Sequence, residues 1–416
     1  VTSGAPLRRL GTADAVVLGL SAMLGTGVFA VWAPAAAAAG PWLLVAVLLA
    51  AVVAACNAAS TADLAVAHPH SGGGYVYGCE RLSPGAGRLA GVAFVVGKLS
   101  SAAAAAGVFG GYVLPSAPLV AAIPAVAVVG VLNSAGVRWT ARGAYTLVGG
   151  TLVVLLVVVV IGLFGMAGPG DAPVVPVPPG SGGVLGVLGA AGLVFFAFAG
   201  YARIATLAGE VVDPARTIRR AIALALGIAL VAYLLVGVAL LVGLGLPRLA
   251  GEPSALVVLV DASGANSVGV LVRVGAAVAA GSALLSVLVG VSRTAVAMAR
   301  GGDLPALFGR IGSRGTPYWA DVAGALVTMA LAVLAGPAAA IALSACSVLV
   351  YYAVINLAAF RLPAEQRSWP RWTAVLGLVL CVGLAVLLPP SQVLATAIAL
   401  IVGWSAVTTL RRRRPS

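Results

Sequence analysis

The stretch Leu20-Ser21-Ala22-Met23-Leu24-Gly25-Thr26-Gly27-Val28-Phe29 decides how the chain is read. It lies inside an apolar run, 14–39, long enough to cross a bilayer as a helix. Yet it carries Gly-Thr-Gly at its centre, and each glycine weakens a helix by about 1 kcal/mol relative to alanine. A second run, 184–209, has a similar interruption at Phe195-Phe196-Ala197-Phe198-Ala199-Gly200. Working outward from these two, further apolar runs fall at 41–67, 86–113, 118–133, 141–167, 218–246, 266–299, 319–335, 337–360, 371–388 and 390–409. The ninth and tenth are divided only at Gly336-Pro337. The expectation is an all-α polytopic membrane protein of about twelve transmembrane helices, with helices 1 and 6 broken.

Composition agrees. Of 416 residues, 62% are hydrophobic and 8% charged, against about 25% charged in soluble domains, and the mean hydropathy is +1.13. A water-facing enzyme is excluded. So is a β-barrel, whose strands would alternate apolar and polar residues. The first run is too long for a cleavable signal peptide and is expected to remain as a span.

The net charge of +13 raises the question of nucleic acid, but its distribution points elsewhere. All but four of the 24 cations (Lys98, Arg203, Arg248 and Arg273) fall before run 1, in alternate loops from run 2 onward, or after the last run. That asymmetry expects both termini in the cytoplasm, in an inner-membrane protein. The basic tail, 410–416, is expected to meet anionic lipid. Cys56, Cys79, Cys346 and Cys381 have no metal-ligand or redox spacing, and His68 and His70 alone make a poor metal site. No metal or cofactor is expected.

The glycines at the two interruptions have two readings. Small residues let helices pack closely in lipid. Alternatively, interruptions at matching places in two halves of a chain mark the binding site of a transporter built from inverted repeats. Unwinding exposes backbone amides that suit a carboxylate and carbonyls that suit an ammonium. A zwitterionic amino acid has both.

Five segments carry a family resemblance: the stretch from Leu20 to Phe29; Pro69-His70-Ser71-Gly72-Gly73-Gly74-Tyr75-Val76-Tyr77; Leu132-Asn133 with Gly136-Val137-Arg138 and Ala141-Arg142; the stretch from Phe195 to Gly200 with Glu210, Asp213-Pro214, Arg216 and Arg220-Ala221-Ile222; and Gly290-Val291-Ser292-Arg293 with Ala297-Met298-Ala299-Arg300, Leu304-Pro305 and Thr316-Pro317. Together they resemble the amino acid–polyamine–organocation superfamily of permeases over nearly the whole length.

The resemblance implies a single domain with a LeuT-like five-plus-five inverted repeat (14–167 and 184–360) and two extra helices (371–409). It implies substrate binding at the two breaks, by Ala22, Met23, Gly25, Thr26, Gly27, Phe196, Ala197, Phe198, Ala199 and Gly200. Thr26 and Gly27 would offer amides to a carboxylate. Carbonyls of Ala22, Met23, Phe196 and Ala197 would meet the amine. Phe196 or Phe198 would close over the substrate, or simply pack in the core.

Departures from the pattern bear on coupling. Related proton-coupled members carry a lysine in span 5; the matching position here is Thr151. The chain's sole lysine, Lys98, lies instead near the middle of span 3, at a depth where charge is costly. It either binds backbone carbonyls structurally or serves as a proton-coupling cation. Arg203 is a second candidate. Ser282 and Ser286 in span 8 stand where a sodium site would use hydroxyls, or else bond back to their helix. The expected function is proton-coupled amino acid uptake by alternating access. The rivals are an amine or polyamine exchanger on the same fold, which needs an acid facing the pocket, and a membrane enzyme acting on lipid, which needs an acid, histidine or metal cluster.

Overall fold

The computed structural model describes residues 10–68, 72–136, 141–165, 182–207 and 210–412. The expectations placed on the arginines before run 1, on Pro69, His70, Ser71, Val137 and Arg138, and on Arg413 and Arg414 of the basic tail lie outside them. Among the described residues the chain is helical, with one isolated bridge pairing Leu10 with Val211 and no strand.

Seventeen α-helices follow in chain order: α1 (Thr12–Met23), α2 (Thr26–Ala30), α3 (Trp32–Ala39), α4 (Leu43–Ala67), α5 (Gly74–Arg81), α6 (Pro84–Val113), α7 (Pro118–Ser134), α8 (Ala141–Phe164), α9 (Val184–Phe198), α10 (Ala202–Ala205), α11 (Pro214–Leu244), α12 (Leu246–Gly251), α13 (Ala255–Ala262), α14 (Asn266–Arg300), α15 (Tyr318–Phe360), α16 (Arg371–Val386) and α17 (Pro390–Arg412). Nine described stretches are long and apolar enough to cross a membrane, and α7 and α16 are shorter apolar helices. At 1.5 Å per residue α15 would run about 65 Å, roughly twice the hydrocarbon thickness. It leaves helical geometry at Gly336, whose φ of 67° and ψ of 167° suit glycine, and Pro337 restarts it.

Packing follows side-chain size. α6 carries a buried run, Ala102 to Ala106, and α14 and α15 close on it. A Cβ at Gly97 would stand 2.7 Å from Val348, and one at Gly107 would stand 2.6 Å from Pro337. Such approaches supply the van der Waals contact that joins helices in lipid, where both alternatives are equally apolar. The outer surface is apolar too: Val153, Leu156, Val231, Val274, Leu334, Val379 and Ile401 are all exposed. In water that would be a large adhesive patch; facing acyl chains it is matched.

Several polar groups within the packed helices are paired. Asn356 of α15 donates to Asn57 of α4 at 2.6 Å and accepts from Ser60 at 2.7 Å, so α4 and α15 are tied by side-chain amides. Near the arginine-rich ends, Asp63 pairs with Arg219 at 3.5 Å and accepts the Ser368 amide at 3.0 Å. His68 pairs with Glu80 at 2.5 Å.

Candidate functional site at the helix interruptions

The first interruption is a true break. α1 ends at Met23, Leu24 leaves helical geometry at ψ 24°, and Gly25 lies outside the helical region at ψ −129° before α2 begins. α2 and α3 form one nearly continuous second half-helix: Val31 stays in the right-handed region and its amide bonds to Gly27 at 3.1 Å. The first amides of such a half-helix have no intrahelical acceptor. The second interruption is milder. Ala199–Tyr201 tighten to a 3-10 turn between α9 and α10, and Ala199 and Ala202 remain right-handed.

The two interruptions touch through backbone. A Cβ on Gly27 would stand 2.5 Å from Ala197 Cα, and one on Gly200 would stand 2.5 Å from the Ala22 carbonyl carbon. Gly25 packs against α14, where a Cβ would stand 2.8 Å from that of Ala283. At all three glycines backbone or a small side chain approaches closely, and the start of α2, with Thr26 and Gly27 buried, lies beside them.

Tyr233 of α11 joins them. Its buried hydroxyl lies 2.6 Å from the Met23 carbonyl oxygen and 3.0 Å from that of Ala197. A phenol has one hydrogen to give, so one donor serves two carbonyls, one from each interruption. Sequence reasoning missed Tyr233; a tyrosine inside an apolar run reads as core, and only its position across both breaks sets it apart. Two of the carbonyls expected to meet an ammonium thus face this hydroxyl. Nearby carbonyls are also held: Val28 accepts from Trp32 Nε1 at 2.6 Å, and Phe29 from the Tyr112 hydroxyl at 3.1 Å.

A cavity of about 530 Å³ opens beside this crossing. Of the expected site residues, Ala22, Met23, Thr26, Gly27, Phe196, Ala197, Ala199, Gly200, Lys98, Arg203 and Ser286 line it. The Thr26 hydroxyl is buried and unpartnered at its wall. From the breaks the cavity runs past Thr206 and Glu210 to Gly136, Ile311, Gly315 and Thr316, on the arginine-rich loops.

Four expected residues stand apart from it. Phe198 does not line the cavity; it is fully buried and packs edge-on against the Tyr233 ring, with centroids 4.8 Å apart. Two residues along a helix turn the side chain by about 200°, so Phe196 and Phe198 cannot both face one space. Gly25 is covered by α14. Thr151 is buried within α8, and Ser282 is buried on α14 one turn before Ser286.

The charged candidates differ in setting. Lys98 places its ammonium 5.8 Å from the Phe94 ring centroid, a cation–π arrangement, and it forms no ion pair among the described residues. Arg203 sits near Arg293 and Glu210. At the cavity mouth, Tyr75 of α5 donates to Asp303 at 2.8 Å. Burial and that carboxylate hold its hydroxyl well above the ordinary tyrosine value. Asp303 also binds Arg88 at 3.0 Å and Arg411 of α17 at 3.5 Å. Arg411, at the start of the basic tail, therefore meets protein.

Among the described residues no cluster of three histidine, cysteine or acidic side chains could hold a metal. What the crossing offers is backbone polar groups beside a cavity whose wall carries both apolar and charged side chains.

Comparison with known proteins agrees. A family model described as amino acid permease matches residues 14–413. An uncharacterized transporter of Mycobacterium bovis is 47% identical over 400 residues, covering 96% of this chain and 90% of the relative. An uncharacterized transporter of Mycobacterium tuberculosis matches to the same extent. The chain belongs to the amino acid permease family of the amino acid–polyamine–organocation superfamily, and is a transporter rather than an enzyme.

Proposed function

We propose that the protein carries an amino acid across the cytoplasmic membrane by alternating access, with both termini in the cytoplasm, and that proton movement drives uptake. The observation that carries this reading is the backbone contact of two interrupted helices in the wall of one cavity, with Tyr233 shared between them. Irregular backbone at membrane depth persists only where protein or a bound polar molecule satisfies it. The Thr26 and Gly27 amides, at the start of the second half-helix, are suited to the carboxylate. The Ala22 and Phe196 carbonyls are the remaining candidates for the ammonium, and Phe196 is the side chain placed to close over it.

Twelve spans result if α1 to α3 count as the first, α9 and α10 as the sixth, and α15 as two. Spans 1–5 and 6–10 would then be the inverted repeats. The cavity reaches the arginine-rich loops, so the conformation described is inward-facing on this reading. Lys98, on the cavity wall, is the coupling cation we favour, in place of the lysine missing at Thr151. An amine or polyamine exchanger would need an acid at the depth of the breaks; the cavity's acids, Glu210 and Asp321, belong to its arginine-rich end.

Uptake of the twenty common radiolabelled amino acids into proteoliposomes, with an imposed pH difference, tests the proposal. Accumulation of a subset is expected. Failure of every amino acid to enter or exchange would overturn it.

A further inference from the structure

Asp321, in the first turn of α15, is 4% exposed and forms part of the cavity wall beyond the helix interruptions. Three helices meet there. Its Oδ1 accepts from Asn133 Nδ2 of α7 at 3.2 Å and lies against the Ser292 hydroxyl of α14. Its Oδ2 is buried with no partner. The charged or titratable groups sharing the cavity include His68 just after α4, Lys98 of α6, Arg203 of α10, Glu210 after it and Arg293 of α14. α7 brings no charge beyond Asn133's amide dipole, and Arg310 and Arg314 in the loop before α15 are exposed. None of these cations forms an ion pair with Asp321.

A buried carboxylate with no counter-ion and an unused oxygen is costly, whereas a buried carboxylic acid, being uncharged, costs far less. The neighbouring hydroxyl has room for the extra proton. Ser292 Oγ is also 3.1 Å from the Leu288 carbonyl oxygen, and a hydroxyl has one hydrogen. With Asp321 ionised, Ser292 must choose between Asp321 and Leu288. With Asp321 protonated, Asp321 donates to Ser292, Ser292 donates to Leu288, and Asn133 still donates to Asp321. One added proton completes the chain. A metal cation would have only Oδ2 of the carboxylate to itself, because two donors already point at Oδ1.

We propose that Asp321 is a proton-binding site of the cavity, taking its proton from the arginine-rich end and holding it in the Asp321–Ser292–Leu288 chain between α7, α14 and α15. The site's part in coupling rests on the transport reading above; its protonation does not. It gives a proton at Lys98 a second acceptor nearer the mouth.

Infrared difference spectroscopy of the purified full-length protein, stepped between neutral and acid buffer, reads the site with protons as the sole ligand. The expected result is a carbonyl band of a buried carboxylic acid. It should vanish in Asp321→Asn, move in Ser292→Ala (which keeps the carboxyl and guards against a folding failure), and persist in Glu210→Gln and Lys98→Met. A band unchanged in both Asp321→Asn and Ser292→Ala would overturn the proposal. So would a band that sodium chloride removes at constant pH, which would assign the site to a metal cation. If the band behaves as expected but no amino acid exchanges in wild-type proteoliposomes, the transport reading fails and the proton site stands.

Discussion

The two helix interruptions look alike in sequence and differ in structure. At Leu24-Gly25 the chain leaves helical geometry and restarts, so the first amides of the second half-helix lose their intrahelical acceptors. At Ala199–Tyr201 the helix only tightens, and its residues keep right-handed dihedrals. A 3-10 turn shifts hydrogen bonds by one residue but does not abandon them. The interruptions therefore do different work. The first supplies donors, while the second supplies a thin, glycine-bearing surface for the first to lie against. Tyr233 ties them by serving one carbonyl from each.

The largest effect that would break this comparison is expected at the contact itself. Gly27→Val puts a branched side chain where a Cβ alone would stand 2.5 Å from Ala197 Cα. Uptake should be abolished, while membrane insertion and a monodisperse detergent profile survive. Normal substrate affinity in this variant would mean that the approach of the two backbones is not part of the site.

Tyr233→Phe comes next. Removing the hydroxyl leaves two buried carbonyls without their shared donor. A lost hydrogen bond of this kind costs about 1–3 kcal/mol, so transport should fall about tenfold or more, with a lower melting temperature in detergent. An unchanged rate and melting temperature would reduce Tyr233 to packing.

Lys98→Met sharpens the functional side. It is expected to lose accumulation driven by a pH difference while counterflow exchange continues. Lys98→Arg should fail in the same way, because arginine does not release its proton. Should Lys98→Met still concentrate substrate on an imposed pH difference, the lysine is structural.

The smallest effects separate neighbours. Phe196→Leu should raise the apparent KM several-fold, whereas Phe198→Leu, behind the cavity wall, should act mainly on stability. Thr26→Ser should be mild, because the backbone amide and the hydroxyl both remain. Equal kinetic effects at Phe196 and Phe198 would contradict the placement of the aromatic gate.

Much of this was legible from the residues. Gly25 and Gly27 marked the first break because glycine in an apolar helix is unfavourable and needs a reason. Gly336-Pro337 marked the turn within α15, since proline cannot continue the preceding helix. Cavity-facing side chains were less legible: whether Phe196 or Phe198 faces inward depends on the helix's rotation, which no local pattern fixes when the helix is apolar all round. Tyr233 and Asp321 were invisible for another reason. Each gains its meaning from groups on other helices, with Tyr233 210 positions from the Met23 carbonyl and Asp321 188 from Asn133.

The most direct measurement of the central claim is substrate protection of single cysteines introduced at Ser286 and Ser282, one helical turn apart on α14, in a background with Cys56, Cys79, Cys346 and Cys381 all replaced by serine. Ser286 lines the cavity and Ser282 does not. With the amino acid that wild-type protein transports best, labelling of Ser286→Cys from the arginine-rich side should be fast and blocked, while Ser282→Cys should label slowly and without protection. Equal labelling of the two, or labelling of Ser286→Cys that no transported amino acid slows, would contradict a binding site at the crossing of the two interrupted helices.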